Sequence, residues 1–339
     1  MTVSPDFPSP IHSFVIHSFP IPTLGLVGRI HVSQRMLFSH WVPLYFQVFT
    51  EGITNVLVGC HLGDFKDVVL VRIYGEKTEI IIDRDVEKRN MKLLEQHGCA
   101  KSLYCAFKNG LAYGFIPGRT LDEKSVREDH IGSLIAKEMV NFHALQVPEL
   151  KDSNITPTNK HTAVKSQLKM EVPDSKRLLV EIETLEKAAE YVNSPLVFSH
   201  NDLLLKNIII TEENDRAYFI DYEYGGVNPE AYDISNHFCE YAGIDEVNYE
   251  LYPDEEYQKK WLRRFLEYKF QHVKRQDVVT EKDVQTLYVQ TNQLALASHL
   301  FWGIWVLINF DYLRTIGIIN IKGNITQLSA AQSPPILHK

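Results

Sequence analysis

The chain has 339 residues, 45% of them apolar and 23% charged, enough for a full hydrophobic core in one large domain or two lobes. A net charge of −8 and a pI near 6.0 give no basic field for a polyphosphate backbone, which excludes nucleic acid as the main ligand and suits a small or cationic one. Four scattered cysteines, Cys60, Cys99, Cys105 and Cys239, form neither a disulfide framework nor a Cys-x-x-Cys clip and fit a reducing compartment.

Residues 1–45 are rich in Pro, Ser and His without a sustained period and read as a variable extension. Phe7 to Gly28 carries no Asp, Glu, Lys or Arg, but Pro8, Pro10, Pro20 and Pro22 interrupt it and Asp6 precedes it. Neither a signal peptide nor a spanning helix is expected there. Phe46 to Cys60, with Gly52 and Gly59, reads as a hairpin, and Val68 to Tyr74 as a buried strand. Asp83 to His97 has the spacing of a helix closed by Gly98, with Val86, Met91 and Leu94 among its apolar positions. Leu103–Phe107 and Leu111–Ile116 flank Asn109-Gly110, a strong hairpin signal. Together these predict an N-terminal, β-rich lobe over residues 46–120.

The period changes from Ser125 onward. Ile131, Leu134, Ile135, Met139 and Phe142 recur three or four apart, which predicts one face of a helix and the start of a larger, mainly helical lobe over 121–339. Val147–Thr162 reads as a polar loop and Lys165–Val192 as a charged amphipathic helix or helix pair. Leu196-Val197-Phe198 is strand-like, and Ile208–Ile210 and Ala217–Ile220 read as short strands around a turn at Glu213–Asp215. Beyond Ile234 the pattern is mostly helical, and the apolar run Leu294–Ile308, broken by Ser298 and His299, reads as a buried core helix.

One constellation carries chemistry. His200-x-Asp202 is followed five residues later by Asn207, and Asp221 closes the next short strand. Phosphoryl transfer requires a carboxylate that orients the attacking hydroxyl and takes its proton, and oxygen ligands for magnesium on the ATP phosphates. Asp202 fits the first role; Asn207 and Asp221 fit the second. The competing reading makes the same Asn and Asp residues turn formers between short strands.

The segments His200–Asn207, Phe219-Ile220-Asp221-Tyr222-Glu223-Tyr224 and Ala231-Tyr232-Asp233-Ile234-Ser235-Asn236-His237-Phe238 resemble the choline and ethanolamine kinase family, over about Phe49 to Phe310. Phe49–Asn55, Val71–Glu79, Glu240-Tyr241-Ala242-Gly243 and Leu251–Asp254 look more like its ethanolamine kinases. The resemblance implies an α+β, bilobal protein-kinase-like fold, ATP as co-substrate with Mg2+, and a small amino alcohol as acceptor. It also implies a cytoplasmic enzyme without stable membrane insertion and allows a homodimer. By the same resemblance Arg72 contacts the ATP phosphates with Glu87 as its partner acid, and the loop Glu51–Asn55, including Thr54 and Asn55, closes over them. Tyr224, Glu240, Trp302 and Trp305 match positions of the amine pocket, where aromatic faces and a carboxylate suit a cation; without the resemblance, aromatics at helical spacing read as core. His143 and His237 read as structural. Asn201 stands where protein kinases carry Arg, and Asp221-Tyr222-Glu223 replaces their Asp-Phe-Gly, which points to a small-molecule acceptor.

Departures from the family pattern lie before Phe46, between Ala144 and Lys165, and after Ile308. They keep two other readings open: a choline or dual-specificity kinase, and a catalytically impaired pseudokinase that acts as a binding partner.

Overall fold

The computed structural model describes residues 19–20, 27–28, 45–49, 55–61, 68–75, 83–147, 175–243 and 247–315, with side chains of the last helix described as far as Val306. Met1–Leu44 and Tyr45–Lys339 are separate compact units. Within the first, Phe19–Pro20 pairs antiparallel with Val27–Gly28.

The second unit begins with an antiparallel sheet. Its strands are β1 (Tyr45–Phe49), β2 (Val56–His61), β3 (Val69–Ile73), β4 (Leu103–Phe107) and β5 (Gly110–Gly114), in the spatial order β1-β2-β3-β5-β4. The strand period of two puts Leu70 and Arg72 on the buried face of β3. Gly110 pairs with Ile73, and a Cβ there would stand 2.2 Å from the carbonyl oxygen of Arg72. A side chain at Gly110 would therefore push β5 off the strand that carries Arg72.

Helix α1 (Arg84–Gln96) follows β3 in sequence. Asp83 caps it by accepting from the N–H groups of Asp85 (3.0 Å) and Val86 (3.1 Å). Gly98, at φ +70°, lets the chain turn away at its end. Glu87, Asn90, Met91 and Leu94 form its buried stripe, so a carboxylate sits among the apolar contacts that dock this helix.

A second group of elements builds the helical lobe around α2 (Asp129–His143). A three-stranded sheet has the order β9-β8-β6, from β6 (Gly118–Thr120), β8 (Ile208–Thr211) and β9 (Ala217–Phe219). β7 (Leu196–Ser199) pairs with β10 (Gly226–Pro229). The remaining helices are α3 (Ser175–Val192), α4 (Glu230–Cys239), α5 (Glu255–His272) and α6 (Glu281–Thr315). α5 packs on α2, and α6 packs on both α4 and α3.

Phe142, from α2, lies at the centre of the core. It is 1% exposed, and its ring centroid is 5.3 Å from Phe219, 5.9 Å from His200, and 6.0 Å from both Phe198 and Tyr222. Each of those residues adjoins or lies within a loop that carries candidate chemistry, so the core is continuous with the site.

The expected elements are present with small shifts of boundary. The run Leu294–Ile308 is helical as expected but is not wholly buried: Leu294 and Ile304 are, while Leu296 is 61% exposed and Val306 48%. Over Leu294–Val306 the exposed positions Leu296, His299, Gly303 and Val306 fall on one side of the helix, which the high apolar content of the run hides. Residues 148–174 and 316–339, where loop and C-terminal readings fell, lie outside the described residues. Among the described residues no helix is long and apolar enough to cross a membrane. Phe142→Ala should destabilise the fold by about 3–5 kcal/mol, as cavity-forming aromatic deletions do, measured by urea denaturation.

Candidate active site

Strand β7 leads directly into the loop His200–Asn207. Three of the loop's backbone N–H groups, those of His200, Asn201 and Leu203, donate to side chains of α4. Asp233 accepts from His200 N–H on Oδ2 (3.0 Å) and from Asn201 N–H on Oδ1 (2.8 Å), and Asn236 Oδ1 accepts from Leu203 N–H (2.8 Å). Asp202 is thus held between anchored neighbours. Asn201 takes the left-handed conformation at φ 68°, which Asn tolerates better than most residues. Its side chain donates to the Tyr224 carbonyl (2.9 Å) and accepts from Asn228 Nδ2 (2.7 Å).

Asp233 is fully buried, and His143 Nε2 donates to its Oδ2 at 2.9 Å. Burial alone would raise this carboxyl, but the His143 hydrogen bond and charge, the nearby His200 and the Asn201 N–H bring it below its ordinary value. The residue is therefore held ionised as the loop's acceptor.

Asn207 Nδ2 donates to the Asp202 carbonyl (2.9 Å), which leaves Oδ1 as the acceptor of this amide. Asp221 is brought beside it by the β8–β9 ladder, in which Ile208 pairs with Phe219. Ile220 N–H donates to the Asn207 carbonyl (2.9 Å), and His200 Nε2 donates to the Ile220 carbonyl (2.8 Å). Asp221 itself turns through φ 65°, ψ 67°. One amide oxygen and one carboxylate, fixed on adjoining strand ends, are hard donors of the kind that suits magnesium.

Arg72 reaches this group from β3. Its Nη1 pairs with Asp221 Oδ1 and its Nη2 with Glu87 Oε1. Arg72 is 6% exposed and Glu87 fully buried. Ligand atoms of Glu87, Asp221 and Glu223 all lie within 4.8 Å of one another. Burial, with the charge of Asp221, pushes the Glu223 carboxyl up to about 7, while Arg72 and Arg84 act in the opposite sense.

The aromatic residues meet on the other side of the loop. Tyr224 packs edge-on to Trp302, with centroids 5.3 Å apart, and Trp302 lies 5.9 Å from Trp305. Trp305 Nε1 donates to the Tyr224 hydroxyl at 2.8 Å. Among the described residues the buried Trp302 indole N–H has no hydrogen-bond acceptor. Glu240 sits in the turn after α4, and burial pushes its carboxyl up to about 7. Asn55 Oδ1 accepts from Gly75 N–H at 3.3 Å, just beyond β3. Thr54 lies outside the described residues.

Asp233 and Asn236 had no assigned role in the sequence, although they stand three apart and so share one face of the helix Glu230–Cys239. Arg84, discussed below, gave no signal. Asp233→Asn should lower stability by about 2–4 kcal/mol, because the amide nitrogen faces N–H donors it cannot accept from and the buried partner His143 loses its carboxylate. Chemical denaturation measures the loss.

The sequence profile described as choline/ethanolamine kinase matches residues 46–322. Mouse (Mus musculus) ethanolamine kinase 1 is 45% identical over 294 residues, covering 82% of this chain and 81% of that protein. Among solved structures, a Plasmodium vivax ethanolamine kinase aligns with a TM-score of 0.71 at 27% identity over 88% of this chain and 84% of that one. A choline kinase from Cryptosporidium parvum aligns with a TM-score of 0.66 at 25% identity over 78% and 83%. The two-lobed fold, the anchored loop and the extent of these matches agree: the chain belongs to the choline/ethanolamine kinase family.

Proposed function

We propose that the chain transfers the γ-phosphate of ATP to the hydroxyl of ethanolamine, giving phosphoethanolamine and ADP, the entry step of the CDP-ethanolamine route to phosphatidylethanolamine. The observation that supports the reading is that Asp202 and Asn207 stand on a loop held by Asp233, while Asp221, next to the Ile220 N–H bonded to Asn207, is tied through Arg72 to the β-rich lobe. The acceptor is taken from the relatives, whose names are ethanolamine kinases.

In the proposed reaction Asp202 orients the acceptor hydroxyl and takes its proton as the oxygen attacks the γ-phosphorus, while the bond to the β,γ-bridging oxygen breaks and ADP leaves. Bound by Asn207 Oδ1 and Asp221, magnesium would neutralise charge on the phosphate oxygens. Arg72 grips phosphate oxygens with Glu87 behind it, and Thr54 and Asn55 belong to the segment that covers the phosphates. Tyr224, Trp302 and Trp305 offer ring faces to the ammonium, and Glu240 supplies the opposite charge.

Asp202→Asn should reduce kcat by about 100- to 10,000-fold, the range for loss of a general base, with the folded state retained, in an assay coupled to ADP release. Running both amines in parallel tests the acceptor: a kcat/KM for choline above that for ethanolamine would overturn the assignment. The ammonium prefers the ionised form of Glu240, whose carboxyl titrates at about 7. Raising the pH through that value should therefore lower the KM for ethanolamine by up to about tenfold between pH 6 and 8, and Glu240→Gln should flatten the profile.

A further inference from the structure

A second guanidinium stands beside Arg72. Arg84 is the first residue of α1 and its side chain is 13% exposed. Its Nη1 alone makes two contacts, 2.9 Å to Glu87 Oε2 and 3.1 Å to Glu223 Oε2. The plane behind them rests on Tyr74, with the guanidinium carbon 3.9 Å from the ring centroid. Tyr74 is the residue directly after β3, so Arg84 spans α1, the end of the Arg72 strand and the segment after Asp221.

The consequence lies in how the two oxygens of Glu87 are shared. One meets Arg72 and the other meets Arg84. Arg72 in turn uses its remaining terminal nitrogen on Asp221. Without Arg84, both oxygens of a buried carboxylate would have Arg72 as their nearest cation, and a rotation of Glu87 would draw that guanidinium away from Asp221. Glu223 would lose its partner at the same time, within 4.8 Å of Asp221.

We infer that Arg84 is a positioning residue for the nucleotide: by holding Glu87 and Glu223 on one nitrogen, it keeps Arg72 aligned with Asp221. This rests on the proposed role of Arg72 at the ATP phosphates. A merely structural ion pair would stabilise the fold without favouring either substrate.

Steady-state kinetics of Arg84→Met, Arg84→Lys and Arg72→Met, with ATP and the amino alcohol varied separately, separates the two. Arg84→Met should lower kcat/KM for ATP by about 10- to 100-fold, the scale of a small misplacement in a reactive site, while KM for the amino alcohol stays within about twofold. Arg84→Lys should recover kcat/KM for ATP to within about threefold of the parent, because one nitrogen makes both contacts, although it loses the planar stacking on Tyr74. An unchanged kcat/KM for ATP in Arg84→Met, an equal loss for both substrates, or a lysine variant no better than methionine would overturn the inference. If Arg84→Met does not fold, Arg84→Lys decides it: a loss for ATP as large as that of Arg72→Met counts against. Should Arg72→Met itself leave kcat/KM for ATP unchanged, the phosphate role of Arg72 fails, an outcome distinct from a normal Arg84→Met beside an impaired Arg72→Met.

Discussion

Because Asp233 accepts from the N–H groups of His200 and Asn201 while His143 donates to it from behind, the loop around Asp202 has its shape before any ligand arrives. A flexible loop would lose much of its conformational freedom on binding. Here that ordering is done during folding, by a carboxylate whose burial is offset by three hydrogen bonds. Asn236 adds a third anchor of the loop at Leu203, and its own amide donates to Ser298 of α6. The helix that bears these residues is buried from Glu230 to Phe238, so the anchors cannot move without disturbing the core.

The second constraint is electrostatic and joins the two lobes. Glu87, Asp221 and Glu223 would repel one another at their present spacing were it not for Arg72 and Arg84. Each guanidinium touches two of the three carboxylates, and Glu87 is common to both. Strand β3, helix α1 and the turn after β9 therefore share one charge network. A change at any of its members is felt in both lobes, around the proposed nucleotide site, which is why pairwise accounts of single residues here would not add.

Much of this was legible in the sequence because it is local. The Asn109-Gly110 hairpin, the helix from Asp83, the Gly98 stop and the spacing from Asp202 to Asn207 are all short-range signals, and the structure has an element at each. What was hidden depends on distant partners. Asp233 lies more than thirty residues from the N–H groups it holds, and nothing in its own neighbourhood names them. Arg84 looks like any charged residue in the first turn of a helix until Glu223, far along the chain, comes to rest beside it. The exposure of Leu296 was hidden for a third reason: in so apolar a run the one polar residue on the outer face, His299, reads as an interruption instead of as the mark of an exposed side.

Gly110 shows how closely the folding signals and the site are interleaved. As the second residue of an Asn-Gly pair it follows the turn at Lys108–Asn109 and opens β5. Its absent side chain also gives the carbonyl of Arg72 room. The hairpin can thus vary at its tip, at Lys108 or Asn109, but alanine at 110 would shift the strand that delivers a proposed phosphate ligand. Replacement there is limited by the packing of the Arg72 strand as much as by the turn, although Gly110 itself has no side-chain atom to offer any chemistry.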